Sequence, residues 1–581
     1  MTDSLRLLLE DFLGLMREEG ELDVFLPLLM SAMGHEVVYR PQKGPRQYGV
    51  DIASVGPDSD GQTKLFLWLV KCGDIGRSDW DTGPQSVRQS INDVGDIYLR
   101  SHIAPEHKAL KRKLLIVTNG DFSANLNETI AAFLEDWSRR KKVATEQVNG
   151  SKLAAWTERF LLDEYILPSS NRSLLRRMLA NVSSPELCVM VGRRLINEML
   201  SSAVAPAKTA GARTKRLLTG LRGIRTTLRV LSVWAANEEN LLAPYILSQY
   251  AVLAVWSKLH ERFQAGDAGA GREFSELLFQ LASVAEVYHR SMDPYYVVQD
   301  AFADVLPDSV LVSRTVFDEL GRLGQQGCFW AFYAALNNHA DSEQMALRYA
   351  NRVQALVQSH SCSALPAYDY HSASVHAALL LLAATGQHDL ARTWVQHLCQ
   401  RMHYATSIRK FLPMSASFEE AVWVRHGYEQ MEQEFCSTST LVPILLTWTA
   451  ALAMDDGYTF LREDVVPRLD GSTPNFWSAE GGYDAVVADP NAFHEHGIGE
   501  AVKQFHEDPR EFLRLMSVGL AGVDHIEQSA WYQVRAPYIP LLAALHWQGQ
   551  LPRQMLVQQT MAFTGVPLLS LVGAGHQSIE G

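Results

Sequence analysis

The fold of the N-terminal region is decided by two apolar stretches, Tyr48–Ala53 (YGVDIA) and Lys64–Gly73 (KLFLWLVKCG). Both have the composition of buried β-strands, and they carry Asp51 in the first and Lys71 near the end of the second. A buried strand tolerates a charge only where that charge is paired or binds a metal. Two such strands side by side would bring Asp51 and Lys71 together at one sheet edge. There a carboxylate can hold Mg²⁺ and a lysine can orient the attacking water, as phosphodiester hydrolysis requires.

The elements around these strands predict an α/β domain with the order α-α-β-β-β-α-β-α-β. Apolar residues at helical spacing predict helices over residues 5–16, 22–33, 84–99 and 126–139. Short apolar runs predict further strands over residues 35–40, 113–118 and 143–148. The polar segment Gly56–Gly61 predicts the turn between the two central strands.

This order of elements, together with several local motifs, resembles the PD-(D/E)xK restriction-endonuclease-like superfamily, and most closely its Mrr-like branch. The stretches that carry the resemblance are Leu28–Val37 (LLMSAMGHEV), Gly49–Ile52 (GVDI), Leu69–Lys71 (LVK), Val117–Ser123 (VTNGDFS) and Asn149–Ala154 (NGSKLA). The resemblance covers residues 1–162 and nothing after them. It implies a mixed central sheet flanked by helices and the activity of a Mg²⁺-dependent DNA endonuclease.

The resemblance also implies roles for individual residues. Asp51 would be the main metal ligand, and Lys71 would position the water and stabilise the charge that develops on the phosphate. The superfamily has Asp, Glu or Gln two residues before the lysine, and this chain has Leu69 there. Asp23 matches the acidic position of the superfamily's first core helix, and Glu21 lies close to it. Either acid could supply the missing ligand.

Two acids after the lysine strand, Asp74 and Asp79, are further candidates for the missing ligand. The other interpretation of Leu69 is a nuclease fold without catalytic activity, kept for binding nucleic acid or for assembly with proteins. An acid that reaches the Asp51–Lys71 edge favours the enzyme, and a wholly apolar surrounding of Leu69 favours the scaffold.

Composition indicates a soluble globular protein of several domains. The chain has 581 residues, 47% of them hydrophobic and 20% charged, which predicts two to four domains. Six cysteines are scattered without CxxC pairs, which indicates reduced thiols and argues against a zinc site or a disulfide framework. The first residues show no basic-then-apolar signal sequence, and we expect a cytoplasmic protein that does not enter a membrane.

A basic segment follows the nuclease-like region. Residues 172–229 contain 12 Lys and Arg against two Glu, a net charge of +10, whereas residues 230–581 carry a net charge of −18. Four cations recur at helical spacing opposite an apolar face and predict a nucleic-acid-binding surface: Lys215, Arg222, Arg225 and Arg229. The alternative is that these cations pair with acids of the same chain.

The remainder of the chain reads as helical, which predicts an all-α, solenoid-like region. The segment 374–402 predicts two helices around the turn Gly386–Asp389, and 328–351 predicts a second pair; both weakly resemble tetratricopeptide hairpins. The expected organisation is a nuclease domain (1–165), a basic helical connector (166–232) and an acidic helical domain (233–581) that senses a protein partner. By architecture alone this arrangement resembles a bacterial antiphage defence effector. Oligomerisation, RNA as the substrate and the activating trigger stay open.

Overall fold

The computed structural model describes residues 9–10, 13–14, 16–17, 21–39, 48–83, 86–161, 169–238, 240–366, 368–407, 418–426, 438–469, 473–479, 483–485, 487, 497–502, 505–518 and 526–565. The chain forms two compact units, Met1–Ser248 and Gln249–Gly581. The division falls within one helix, Leu242–Gln264. The structure thus groups the residues of the predicted connector, 166–232, with the sheet, and the unit boundary lies later than expected.

The first unit is built around a five-stranded mixed sheet with the strand order β1-β2-β3-β4-β5. Its strands are β1 (Glu36–Tyr39), β2 (Ile52–Pro57), β3 (Thr63–Lys71), β4 (Lys111–Thr118) and β5 (Ala144–Val148). The pairs β1–β2 and β2–β3 are antiparallel, and β3–β4 and β4–β5 are parallel. The expected mixed sheet with flanking helices is therefore present.

Eight α-helices of five or more residues accompany this sheet in the described part of the first unit, in addition to the one at the division. They are α1 (Asp23–Ala32), α2 (Arg77–Asp81), α3 (Val87–Asp93), α4 (Asn127–Lys141), α5 (Gly150–Trp156), α6 (Ser169–Ala180), α7 (Pro185–Val204) and α8 (Ala210–Asn237). Helix α3 continues through a π-helical turn, Val94–Tyr98, into the short helix Leu99–Ser101, and α5 continues into the π-helical turn Thr157–Leu161.

The central strand β3 is buried on both faces, which explains its unbroken apolar sequence. Leu65, Leu67 and Leu69 belong to one apolar cluster with side chains of α3 and α4. On the opposite face, the Trp68 ring lies 6.2 Å from the ring of Trp156. The alternation follows from the two-residue period of a strand.

The structure corrects two boundaries of the predicted strands. Strand β2 begins at Ile52, so Asp51 immediately precedes the strand and is not inside it. The strand also runs through Gly56 and Pro57, which the sequence pattern had placed in the turn. The turn between β2 and β3 is therefore shorter than predicted.

The second unit is mainly helical. Its helices are α9 (Leu242–Gln264, which contains the division), α10 (Ala268–Val297), α11 (Ala301–Val305), α12 (Ser309–Asn337), α13 (Ala340–Ser359), α14 (His371–Ala384), α15 (His388–Ser407), α16 (Phe418–Arg425), α17 (Leu441–Ala451), α18 (Asp455–Phe460), α19 (Pro509–Ser517), α20 (Ala530–Gln533), α21 (Tyr538–His546) and α22 (Arg553–Thr564). The two predicted helical pairs correspond to α14–α15 and α12–α13.

The second unit also contains a small sheet, which an all-α prediction did not include. It consists of β6 (Thr438–Ser439), β7 (Thr473–Ala479) and β8 (Gly497–Ala501) in the order β6-β7-β8. In the helical core, Gly324 of α12 lies so close to α14 that a Cβ would be 2.5 Å from the backbone of Ala377. Small residues thus set the spacing of these helices. No helix in the described ranges is long and apolar enough to cross a membrane.

Candidate functional site

Asp51 is attached to the end of strand β3 by two hydrogen bonds. Its backbone N–H donates to the carbonyl oxygen of Trp68 at 2.8 Å, and its carboxylate Oδ2 accepts from the N–H of Val70 at 2.7 Å. The antiparallel register pairs Ile52 with Trp68. Asp51 therefore lies beside the last residues of β3, with its carboxylate on the residue that precedes Lys71.

The position of Asp51 depends on the glycine two residues before it. Gly49 has a φ of +77°, and a Cβ at this position would lie 2.1 Å from the carbonyl oxygen of Ser90 in helix α3. Only glycine avoids both the backbone strain and the clash. Gly49 therefore allows the backbone to pack directly against α3. This packing places the Asp51 carboxylate beside β3.

Lys71 is the last residue of β3 and is half-buried. Within the part of the chain that the structure describes, its ammonium group has no hydrogen-bond or ion-pair partner. Other lysines of the sheet are paired: Lys64 contacts Asp58 at 2.6 Å, and Lys113 contacts Glu146 at 2.6 Å. Lys71 therefore differs from Lys64 and Lys113 in having no acidic partner among the described residues.

Leu69 occupies the position at which the resemblance would place the middle metal ligand, and its surroundings are apolar. Its side chain is 1% exposed and lies in the apolar cluster that includes Val50, Ile91, Val94 and Ile116. It has the same strand parity as Lys71, so the two side chains leave the same face of the sheet. The surroundings of position 69 are thus apolar, which is the outcome that favours an inactive fold.

The two proposed replacement acids lie at the start of helix α1. Asp23 is in its first turn, and its Oδ1 is buried and accepts no hydrogen bond from any described residue. Glu21 precedes the helix, and its Oε2 accepts from the N–H of Arg17 at 2.7 Å. No group of three or more His, Cys, Asp or Glu in the described ranges is arranged to hold a metal. Asp51, Asp23 and Glu21 therefore do not form a three-residue metal cluster.

The acids that follow β3 stabilise loops. Asp74 Oδ1 accepts from the N–H of Asp121 at 2.8 Å, which ties the loop after β3 to the loop after β4. Asp79 Oδ2 accepts from the N–H of Gly76 at 3.0 Å at the start of α2. Both contacts stabilise the backbone of loops. Neither carboxylate belongs to a group of metal ligands among the described residues.

Asn119 has a structural role that was not predicted from the sequence. This residue is 3% exposed, and its Oδ1 accepts from the N–H of Gly73 at 2.7 Å. Its Nδ2 donates to the carbonyl oxygens of Leu13 and Met16, both at 2.8 Å. One amide thus joins the N-terminal segment to the loops after β3 and β4. The only signal in the sequence was its place in the motif VTNGDFS.

Two glycines of the quoted motifs let the strand ends approach each other. The N–H of Gly150 donates to the carbonyl oxygen of Gly120 at 2.9 Å. A Cβ on Gly150 would lie 2.5 Å from the carbonyl oxygen of Asn119, and one on Gly120 would lie 2.6 Å from the backbone of Gly73. The motifs after β4 and β5 therefore hold the edge of the sheet at which Lys71 lies.

The predicted basic face of α8 is only partly accessible. Lys215 is exposed, and Arg222 and Arg229 are half-buried. Arg225 is 6% exposed, so the prediction that it faces solvent is wrong. Arg222 donates to the carbonyl oxygen of Ser31 in α1 at 3.4 Å, within the same unit. Helix α8 packs mainly against α7 and also contacts α1, so part of its basic face is covered.

A network of charged side chains links the residue after β2 to strands β3, β4 and β5 and to helix α5. Asp58 contacts Lys64 and also Lys113 at 2.9 Å, and Lys113 and Lys152 both contact Glu146. Burial disfavours the charged form of Asp58, but hydrogen bonds from the two lysines outweigh this and hold the pKa of its carboxyl below the usual range. Each of these charges has an oppositely charged partner, which indicates that the network stabilises the fold.

Comparisons of the chain with protein-family models, with curated proteins and with solved structures found no significant match.

Proposed function

We propose that the first unit hydrolyses phosphodiester bonds of DNA at the Asp51–Lys71 edge, with Mg²⁺ as the metal. The observation that carries this proposal is the ammonium group of Lys71, half-buried at the end of β3 and without a partner among the described residues. A half-buried ammonium group at the end of a strand suits a phosphate group as its counter-ion. The proposal is in accord with the motif order that resembles the PD-(D/E)xK superfamily.

The residues at this edge suit a magnesium ion, because this ion is often bound by few protein ligands. Mg²⁺ is commonly held by one or two carboxylates, with waters and substrate phosphates completing its shell. Asp51 would be the protein ligand at this edge. When bound, the ion would polarise the phosphate and lower the pKa of a water.

The chain's own residues would supply binding and charge stabilisation. Lys71 would contact a non-bridging phosphate oxygen and stabilise the negative charge that grows there in the transition state. The hydrogen bond from Val70 fixes one oxygen of Asp51, which sets the direction of the carboxylate. The glycine contacts around Gly120 and Gly150 keep the sheet edge rigid.

A second candidate function rests on Leu69. Because its surroundings are apolar, a scaffold with a nuclease fold and no catalysis is the alternative. In that case the helical second unit would bind protein partners. For the active enzyme, we propose that the second unit senses a trigger and restrains the nuclease, as in a cytoplasmic defence effector.

A plasmid-cleavage assay tests the proposal. The full chain should nick or linearise supercoiled DNA with Mg²⁺ and not with EDTA. Lys71→Gln should slow cleavage by about 10²–10³-fold, the loss expected when one charge-stabilising group is removed. Lys108→Gln is the matched control, because Lys108 is exposed on the same unit. Wild-type rates for Lys71→Gln would contradict the proposal, and the same assay on RNA decides the substrate.

A further inference from the structure

Exposed cations surround the end of the sheet at which strands β4 and β5 begin. Lys111 is the first residue of β4, and Lys142 lies between the end of α4 and the start of β5. The parallel register pairs Lys113 with Ala144, so Lys111 and Lys142, each two residues earlier, are neighbours at this end. The last turn of α4 adds two arginines. We define the basic end of the sheet by these four cations: Lys111, Arg139, Arg140 and Lys142.

The two arginines of the basic end form ion pairs on the surface of α4. Arg139 contacts Glu135 at 2.9 Å, and Arg140 contacts Asp136 at 3.0 Å, each one helical turn earlier. Both members of each pair are more than half exposed. Water and salt compete with such pairs, so they contribute little to stability. Either arginine can therefore exchange its carboxylate for a phosphate group.

The two lysines of the basic end have no charged partner among the described residues. Lys111 is exposed, and its Nζ donates to the amide oxygen Oε1 of Gln62 at 2.9 Å. Lys142 is also exposed, and within the described ranges its ammonium group forms neither a hydrogen bond nor an ion pair. Both ammonium groups are thus open to an anion from solution.

The backbone conformation of Lys142 is one that lysine adopts rarely. Its φ is +56° and its ψ is +42°, the left-handed conformation, at the position that follows helix α4. Glycine or asparagine is usual at this position, because a Cβ makes the conformation unfavourable for most other residues. An unfavourable backbone conformation supports a functional use of the side chain. What lysine supplies here, and glycine or asparagine does not, is a positive charge.

Positive charge exceeds negative charge in this part of the first unit. Lys141 contacts Asp96 at 2.7 Å. The hydrogen bond from Lys141 lowers the pKa of the Asp96 carboxyl, and the charges of Arg100 and Arg140 add to this effect. Six cations, the basic end together with Arg100 and Lys141, thus stand against three exposed acids: Asp96, Glu135 and Asp136. A net positive charge remains for an anionic partner.

The helix dipole accounts for only part of this pattern. The C-terminal end of a helix attracts cations, which suits Arg139 and Arg140. Lys111 belongs to a strand, and the dipole gives no reason for its place beside Lys142. A row of phosphate groups explains all four cations, because the phosphates of DNA are contacted by lysines and arginines from different elements.

We propose that the basic end of the sheet binds the phosphate backbone of DNA at a place separate from the Asp51–Lys71 edge. Strand β3 pairs Lys64 with Lys111 and Lys71 with Thr118, so Lys111 and Lys71 lie at opposite ends of the sheet. At 3.3 Å per residue, the two ends are about 23 Å apart. The surface would hold DNA without reading its sequence. The choice of DNA rests on the proposed function, but binding here does not require cleavage.

The fluorescence anisotropy of a labelled 20-base-pair duplex, titrated with the full chain in EDTA at several salt concentrations, tests this surface. The triple variant Lys111→Gln, Arg139→Gln, Arg140→Gln should lower the log–log salt slope by up to about 0.9 for each lost contact, at an unchanged melting temperature. Arg290→Gln is the matched control, because Arg290 is equally exposed and pairs with Glu286 one turn earlier in the second unit. It should keep the wild-type slope.

Lys142→Asn separates binding from a structural role. Asparagine tolerates the left-handed conformation, so the melting temperature should stay equal or rise while the salt slope falls by about 0.9. A lower melting temperature with an unaltered slope would show that Lys142 only stabilises the helix end, and would count against the proposal.

An unaltered salt slope in the triple variant would overturn the proposal. A change in oligomeric state in that variant with unchanged DNA binding would also overturn it, because the partner would then be an acidic protein surface. Cleavage is absent in EDTA, so these results do not depend on the nuclease proposal. If Lys71→Gln cleaves at the wild-type rate while the triple variant loses slope, the nuclease proposal fails and this one stands.

Discussion

The carboxylate of Asp51 accepts a hydrogen bond of 2.7 Å from the N–H of Val70, the residue before Lys71. Asp51 therefore has a structural role in addition to the proposed metal role. Asp51→Ala would leave the N–H of Val70 without an acceptor, which costs about 1–3 kcal/mol where the site stays dry. Loss of cleavage in that variant alone would not separate the two roles.

Asp51→Asn separates the structural role of Asp51 from its proposed role as a metal ligand. The asparagine oxygen can still accept from Val70, but the negative charge that would bind Mg²⁺ is gone. We expect a melting temperature close to that of the wild type and cleavage at background level. A variant that cleaves at wild-type rate with intact Mg²⁺ dependence would remove Asp51 from the proposed site.

Leu69→Glu distinguishes a site that binds Mg²⁺ from one that is apolar and inactive. In the apolar cluster the new carboxylate has no partner, and we expect the first unit to lose several kcal/mol of stability. Leu69→Met, similar in volume, should cost less than about 1.5 kcal/mol. Urea unfolding with and without Mg²⁺ measures both. If Mg²⁺ restores the stability of Leu69→Glu, the carboxylate reaches the metal and the active interpretation gains.

Asn119→Ala should destabilise the first unit by about 3 kcal/mol or more. The change removes hydrogen bonds to Gly73, Leu13 and Met16 and leaves their backbone groups buried. Asn125→Ala is the control, because Asn125 is exposed and should change stability by less than about 0.5 kcal/mol. Equal unfolding midpoints for the two variants would show that this connection is not needed.

The basic segment should separate into cations that bind phosphate and cations that stabilise the fold. Lys208, Arg213 and Lys215 are exposed around the start of α8. Their replacement by glutamine should lower the log–log salt slope of duplex DNA binding by up to about 0.9 for each lost contact, at unchanged melting temperature. Arg225→Gln should instead lower the melting temperature. An unaltered salt slope in the triple variant would refute the surface.

Asp369 should make the second unit less stable as the pH rises. Burial raises the pKa of its carboxyl from the ordinary 3.8 to about 6, although hydrogen bonds from Thr440, Leu441 and Ser439 oppose the shift. The folded protein therefore binds this proton more tightly than the unfolded chain. The resulting stability is complete below the unfolded pKa and is lost as the pH rises through the folded pKa.

The magnitude follows from the size of that shift. Between about pH 4 and about pH 7.5, the wild type should lose about 2–3 kcal/mol relative to Asp369→Asn, measured by urea unfolding. A constant difference between the two proteins across this range would show that Asp369 does not titrate in the folded state.

The sequence by itself determined the elements whose signals are local. The apolar run of β3 and the helical spacing after Asn127 depend on neighbours within a few residues, so their type was predictable. The same holds for the α14–α15 pair, whose turn requires Gly386 at a φ of +75°. The pairing of the two apolar strands also followed from their sequence, because a short polar turn joins them.

Only the tertiary structure decided how particular side chains are used. Arg225 lies on a helix with a clear basic stripe, yet it is buried, because α8 packs against other helices of the first unit, mainly α7. Asn119 binds backbone atoms more than a hundred residues earlier in the chain. One small pocket of the second unit is lined by both Ser372 and Gln550. Contacts between such distant residues depend on the packing of whole elements, and no local pattern of residues encodes them.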